Sequence, residues 1–132
     1  MHISRTVARY VGAVAAAAMA VIYFLIGLNV LFIGTTTDGA SDQFGFGMAA
    51  GIAFGVWAVL LALFDRRWLW FVGLGFHALV FVIYIGASGV RVPPFEVWGL
   101  TLRAIHTVLL VALLYLAAHA PRPRATSPYP AR

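Results

Sequence analysis

Residues 44–64, FGFGMAAGIAFGVWAVLLALF, contain no charged side chain, and this stretch decides the fold. As a helix it would rise about 30 Å, which is the thickness of the hydrocarbon core of a bilayer. Three similar apolar segments accompany it, so the sequence predicts an all-α integral membrane four-helix bundle. The predicted transmembrane helices cover about residues 7–34, 44–64, 68–87 and 95–118.

The composition of the whole chain favours the same fold. Of its 132 residues, 63% are hydrophobic and only 10% are charged, and its mean hydropathy is +0.95. Because a soluble domain carries about 25% charged residues, this chain cannot cover a surface that faces water. The chain has no cysteine, which excludes disulfides and thiolate metal ligands.

The positions of the arginine residues predict how the bundle is oriented. All nine basic residues are arginine, and seven of them fall on one side of the predicted membrane. Because cytoplasmic loops are enriched in basic residues, we expect an up-down-up-down bundle in the cytoplasmic (inner) membrane with both termini inside. The seven residues are Arg5, Arg9, Arg66, Arg67, Arg122, Arg124 and Arg132, whereas Arg91 lies in a loop on the other side.

The chain divides into one helical domain and a tail. Residues 1–120 hold the four helices, and residues 121–132, PRPRATSPYPAR, are expected to form a disordered cytoplasmic tail rich in proline and arginine. The lipid bilayer is the expected partner, with another membrane protein or a second copy of the chain as alternatives. The arginines lie at the edges of apolar segments, so no nucleic-acid partner is expected.

Three glycines in the second span indicate close helix packing. Gly47, Gly51 and Gly55 are each four residues apart, so they share one helix face from which side chains are missing. Another backbone can approach such a face closely, as in small-xxx-small motifs. Packing within the chain, against the alanine-rich first helix, is favoured over a dimer interface.

Two histidines are predicted to lie at the same depth in the bundle. His77 is about 13 Å along the third span, and His106 is about 16 Å along the fourth from the opposite surface, so both fall near the midplane. Such a pair could bind the iron of haem b, another metal, a quinone or a lipid head group. The alternative is interhelical hydrogen bonding, in which a hydroxyl or carbonyl group satisfies each imidazole.

Arg103 is a further candidate because it lies one turn from His106. A charge inside the membrane must be paired or solvated, so Arg103 could extend outward to Glu96 or bind an anionic head group, a quinone carbonyl or a haem propionate. Asn29, deep in the first predicted helix, is a weaker candidate. The tyrosines are expected to pack or to lie at the interface: Tyr23, Tyr84 and Tyr115.

No motif of a hydrolase, metalloprotease or nucleotide-binding protein occurs in the sequence. We therefore expect a non-catalytic accessory subunit or binding protein of the membrane. One alternative is a haem- or quinone-binding redox module that uses the cluster of His77, His106 and Arg103. Another alternative is a small transporter or channel that becomes functional as an oligomer.

Overall fold

A computed structural model describes residues 4–33, 35–36, 43–88, 91–92 and 96–119. Within these ranges the chain forms four helices, and each contains a segment long and apolar enough to cross a membrane. The prediction of four helices long and apolar enough to cross a membrane is confirmed. The helices are α1 (Arg5–Gly27), α2 (Gln43–Leu63), α3 (Arg67–Ser88) and α4 (Val97–Ala118).

The first helix is shorter than the sequence predicts. The predicted span was 7–34, but α1 ends at Gly27, and Asn29 adopts a positive φ of 58°. The amide of Val30 donates to the carbonyl oxygen of Leu25 at 2.9 Å, which is the long hydrogen bond of a Schellman motif. Asn29 is therefore the left-handed residue that ends α1, and its assignment to the interior of the helix was wrong.

The remaining helices begin and end within two residues of the predicted positions. Two two-residue strands, β1 (Thr35–Thr36) and β2 (Arg91–Val92), pair antiparallel and join the α1–α2 connection to the α3–α4 connection. Hydropathy alone did not indicate this pairing, because each strand is too short to show an alternating pattern. The predicted tail, 121–132, lies outside the described residues.

Helix α1 lies between α2 and α4 and runs antiparallel to both. Its contact face consists mostly of alanine and glycine, so α2 and α4 pack closely against it. The core includes Ala16, Met19 and Ile26, which are fully buried. Near the start of α1, Gly12 packs against Leu61 of α2 and Ala112 of α4. Farther along, the Tyr23 hydroxyl accepts a hydrogen bond from Arg103 of α4, and Gly27 at the end of α1 meets Gly47 of α2.

Helix α3 packs antiparallel against α4 and contacts α2 through large side chains. An exposed ion pair of 3.1 Å joins Arg5, at the start of α1, to Asp65, in the α2–α3 connection. The Arg5 guanidinium also lies 4.9 Å from the ring centroid of the buried Trp70. These contacts hold the start of α1 against the start of α3.

Candidate binding site

The structure brings His77 of α3 and His106 of α4 together inside the bundle. Both side chains are fully buried, their ring centroids are 5.4 Å apart, and the rings are perpendicular. The two positions match because α3 and α4 are antiparallel and each histidine lies near the middle of its helix. The hydrogen bonds of the two imidazoles and the side chains around them determine what the pair can bind.

Aromatic side chains enclose the two imidazoles. Phe54 of α2 contacts both, with its ring centroid 5.1 Å from that of His77 and 5.6 Å from that of His106. It also stacks on Tyr23 of α1 at a centroid distance of 5.4 Å, so this one ring of α2 contacts side chains of the other three helices. Three further rings lie 5.2–5.6 Å from one imidazole or the other: Trp57, Phe76 and Phe81.

Phe54 was not among the predicted site residues, although its spacing from the glycines of α2 indicated that it faces inward. Phe54 follows Gly47 by seven residues, which is two helical turns, and it therefore lies on the face that packs inward. An aromatic residue on a face otherwise made of glycine fills the space that those glycines leave. Its partners on α3 and α4 could not be predicted in this way, because the spacing of residues within α2 contains no information about the other helices.

Arg103 points into the bundle. Its Nη1 lies 3.3 Å from Nδ1 of His106, and its Nη2 donates to the Tyr23 hydroxyl at 3.4 Å. The guanidinium carbon lies 3.2 Å from the ring centroid of Tyr84, a cation–π contact. The tyrosines were expected only to pack or to lie at the interface, but two of them form the walls around this arginine.

The predicted pairing of Arg103 with Glu96 is absent from the described residues, where the one ion pair is between Arg5 and Asp65. The arginine extends toward His106, one turn farther along α4, and therefore away from Glu96 at the start of that helix. A neutral hydroxyl, a neutral imidazole nitrogen and aromatic faces surround the charge. The positive charge therefore has no anionic partner among the residues described.

The hydrogen bond to Arg103 assigns the proton of His106. Arginine has only donors, so Nδ1 of His106 must accept, and the neutral imidazole then carries its proton on Nε2. Nε2 of His106 is buried and has no partner in the described structure. His106 therefore presents an N–H donor that no group in the described ranges accepts.

Among the described residues, His77 forms none of the hydrogen bonds that the interhelical alternative requires. Neither Nδ1 nor Nε2 has a hydrogen-bond partner in the described part of the chain, although both atoms are buried. Aromatic rings surround the imidazole, and these offer faces and edges in place of hydroxyl or carbonyl groups. The hydroxyl or carbonyl partner that this alternative requires for His77 is not found among the described residues.

Gly47, Gly51 and Gly55 of α2 face α1. A methyl group on Gly47 would collide with the backbone of Gly27, and one on Gly51 would lie 2.8 Å from the ring of Phe24. At Gly55 the nearest atom is the methyl group of Ala20, at an ordinary distance of 3.9 Å. Two of the three positions therefore require glycine, whereas the third has room for alanine.

A haem held by both histidines does not fit this packing. To hold a haem, the two imidazoles would have to be separated, with a ligand nitrogen on each side of the iron and the two nitrogens about 4 Å apart. The flat porphyrin would then have to fit between the two imidazole rings. The rings here are in direct contact, and Phe54 touches both of them. Within the described ranges no three histidine, aspartate or glutamate side chains cluster as metal ligands, and the Arg103 charge next to His106 would repel a cation.

Comparison of the chain with protein-family models, with curated proteins and with solved structures finds no match.

Proposed function

We propose that this chain is a non-catalytic binding protein of the cytoplasmic membrane, which holds the polar head of a lipophilic molecule at His77, His106 and Arg103. It spans the membrane four times, up-down-up-down, with both termini in the cytoplasm. The excess of arginine on one side supports the orientation. A reporter fused after Arg132 should therefore register the cytoplasm, and a signal from the opposite side would contradict the orientation.

The observation that carries the proposal is a group of buried polar atoms without partners in the described part of the chain. They are both ring nitrogens of His77, Nε2 of His106 and Nε of Arg103. Each unsatisfied buried group costs roughly 1–3 kcal/mol, and an intramembrane arginine also requires a counter-charge or a polar partner. A ligand that supplies acceptors offsets these costs, and packing alone gives no reason for the cluster.

The donors limit the chemistry of the ligand. The Nε–H of Arg103 and the Nε2–H of His106 both require an acceptor, and His77 adds one donor and one acceptor. A carbonyl, carboxylate or phosphate oxygen meets this requirement. The walls are aromatic, so the part of the molecule next to the head is apolar or flat, as in a quinone or the upper part of a lipid.

The α2–α3 interface provides the route to the cluster. These two helices meet mainly through rings, with Trp57 of α2 against Phe76 of α3 at a centroid distance of 6.3 Å. Phe76 is 41% exposed and lies directly beside His77. Rotation of these side chains admits a lipophilic molecule from the bilayer without separating the tightly packed α1–α2 pair.

The test is to identify what co-purifies with the protein. Protein extracted in mild detergent should retain a lipophilic molecule with oxygen acceptors, detected by mass spectrometry of the organic extract. His77→Leu and Arg103→Leu should each reduce its occupancy at least about tenfold, the loss expected for one charge-assisted or buried hydrogen bond.

His119→Leu is the matched control, because His119 lies at the end of α4, where its ring stacks on Tyr115. Equal content in the wild type and all three variants would contradict the proposal. Loss of a co-purifying protein, with no change in small molecules, would instead show that a partner chain supplies the acceptor.

A further inference from the structure

A groove runs along the outer surface between α1 and α4. It consists of two cavities of about 570 and 450 Å³ that share Val7, Val11 and Val108. None of the residues that line it belongs to the cluster of His77, His106 and Arg103.

Small side chains create the groove. The lining includes Ala8 and Ala15 of α1 and Ala112 of α4, beside larger valine, isoleucine and tyrosine side chains. Its walls are almost entirely apolar, and the hydroxyl of Thr107 is satisfied by the carbonyl oxygen of Arg103 at 2.8 Å. The groove therefore suits a flexible hydrocarbon and offers little to a polar molecule.

The length of the groove matches one leaflet of a bilayer. From Thr6 to Ala18 the lining extends along α1 for about 18 Å at 1.5 Å per residue. One leaflet contributes half of a hydrocarbon core of about 30 Å. A single acyl chain would therefore fill the groove from the start of α1 to near the bilayer midplane.

Arg9 of α1 lies beside Tyr10, one of the lining residues, and has no acidic partner among the described residues. The guanidinium of Arg9 lies 5.2 Å from the ring centroid of Tyr10, and its buried Nε has no hydrogen-bond partner in the part of the chain that the structure describes. The ion pair in this part of the described structure uses Arg5 and Asp65, so it leaves the charge of Arg9 uncompensated. Arg9 lies at the level of the α1 amino-terminus, where a lipid phosphate in the same leaflet would be.

We propose that the α1–α4 groove retains one anionic phospholipid, with an acyl chain along Val7, Val11 and Val108 and its phosphate at Arg9. The groove determines where the acyl chain lies, and the charge determines the preference for an anionic head group. This site is separate from the cluster of His77, His106 and Arg103, so either proposal can fail without the other.

The experiment compares phosphatidylglycerol with phosphatidylcholine of identical acyl chains, added to the purified full-length protein and counted by native mass spectrometry. The wild type should retain one phosphatidylglycerol with a preference of about fivefold, the effect expected for one arginine at an anionic head group. Arg9→Gln should abolish the preference while the protein still binds either lipid.

Val11→Trp should fill the groove and remove the retained lipid, and Val21→Trp is the matched control. Val21 is an exposed valine on the same helix outside the groove, so its variant should behave as the wild type. Equal retention of the two lipids by the wild type, or a preference that persists in Arg9→Gln, would overturn the proposal. A dimer that Val11→Trp dissociates would overturn it too, since a second copy would then occupy the groove.

Discussion

The α1–α2 and α3–α4 pairs are both antiparallel, but they pack by opposite means. Where Gly47 meets Gly27, the two backbones touch with no side chain between them. Between α3 and α4 the imidazoles of His77 and His106 lie in the interface, and the hydroxyl of Tyr84 packs against Gly99. The closest approach of the first pair is therefore between glycines, whereas rings lie between the helices of the second pair.

The difference predicts how each interface responds to substitution. Close backbone packing of α1 on α2 gains van der Waals contact in a solvent that offers no hydrophobic driving force between helices. The α3–α4 interface instead contains buried polar atoms that have no hydrogen-bond partner among the described residues, and such atoms lower the stability of the bundle. We expect the first interface to respond to added volume and the second to changes in hydrogen bonding.

The largest effect is expected for Gly47→Ala. One methyl group at this position collides with the backbone of Gly27, which cannot move aside as a flexible side chain would. We expect the free energy of unfolding in detergent to fall by about 3 kcal/mol, at the upper end of the cost of overpacking. Thermal melting followed by circular dichroism measures the change.

Gly55→Ala is the control for this prediction, because its added methyl group has room beside Ala20. Alanine also favours a helix over glycine, so this variant should melt at the wild-type temperature or slightly above it. If the two variants melt together, the close approach of α1 and α2 does not control stability.

A smaller effect, of opposite sign at the two positions, is expected in the histidine pair. His106→Leu removes the acceptor of the Arg103 Nη1 hydrogen bond and should destabilise the bundle by about 1–2 kcal/mol. His77→Leu removes two buried nitrogens that have no partners in the described chain and should stabilise the ligand-free protein by about 1 kcal/mol.

The sign for His77→Leu is what distinguishes a binding histidine from a structural one. A histidine that only joined helices would lose stability on substitution, whereas this variant should gain stability while losing the co-purifying molecule. A fall in melting temperature at His77 equal to that at His106 would mean that the first histidine has a protein partner after all.

The candidate site could be predicted in part from positions along the chain. The rise per residue of a helix placed His77 and His106 at one depth, and antiparallel neighbours bring such positions together. The partners of Arg103 could not be predicted in this way, since Tyr23 comes from α1 and lies 80 residues away in the sequence. Pairing with Glu96 was one alternative that the spacing along α4 offered. In the structure Arg103 instead contacts Tyr23 of α1 and Tyr84 of α3.

The sequence by itself determined that the chain has four helices for a lipid environment and where most of them begin and end. Hydrophobicity is a property of each segment against its solvent, so it needs no knowledge of the other segments. Only the tertiary structure decided that Asn29 ends α1, that Gly55 tolerates a methyl group and that His77 has no partner among the described residues. These features depend on which atoms from distant parts of the chain lie within a few ångströms of one another, and no pattern along one helix contains that information.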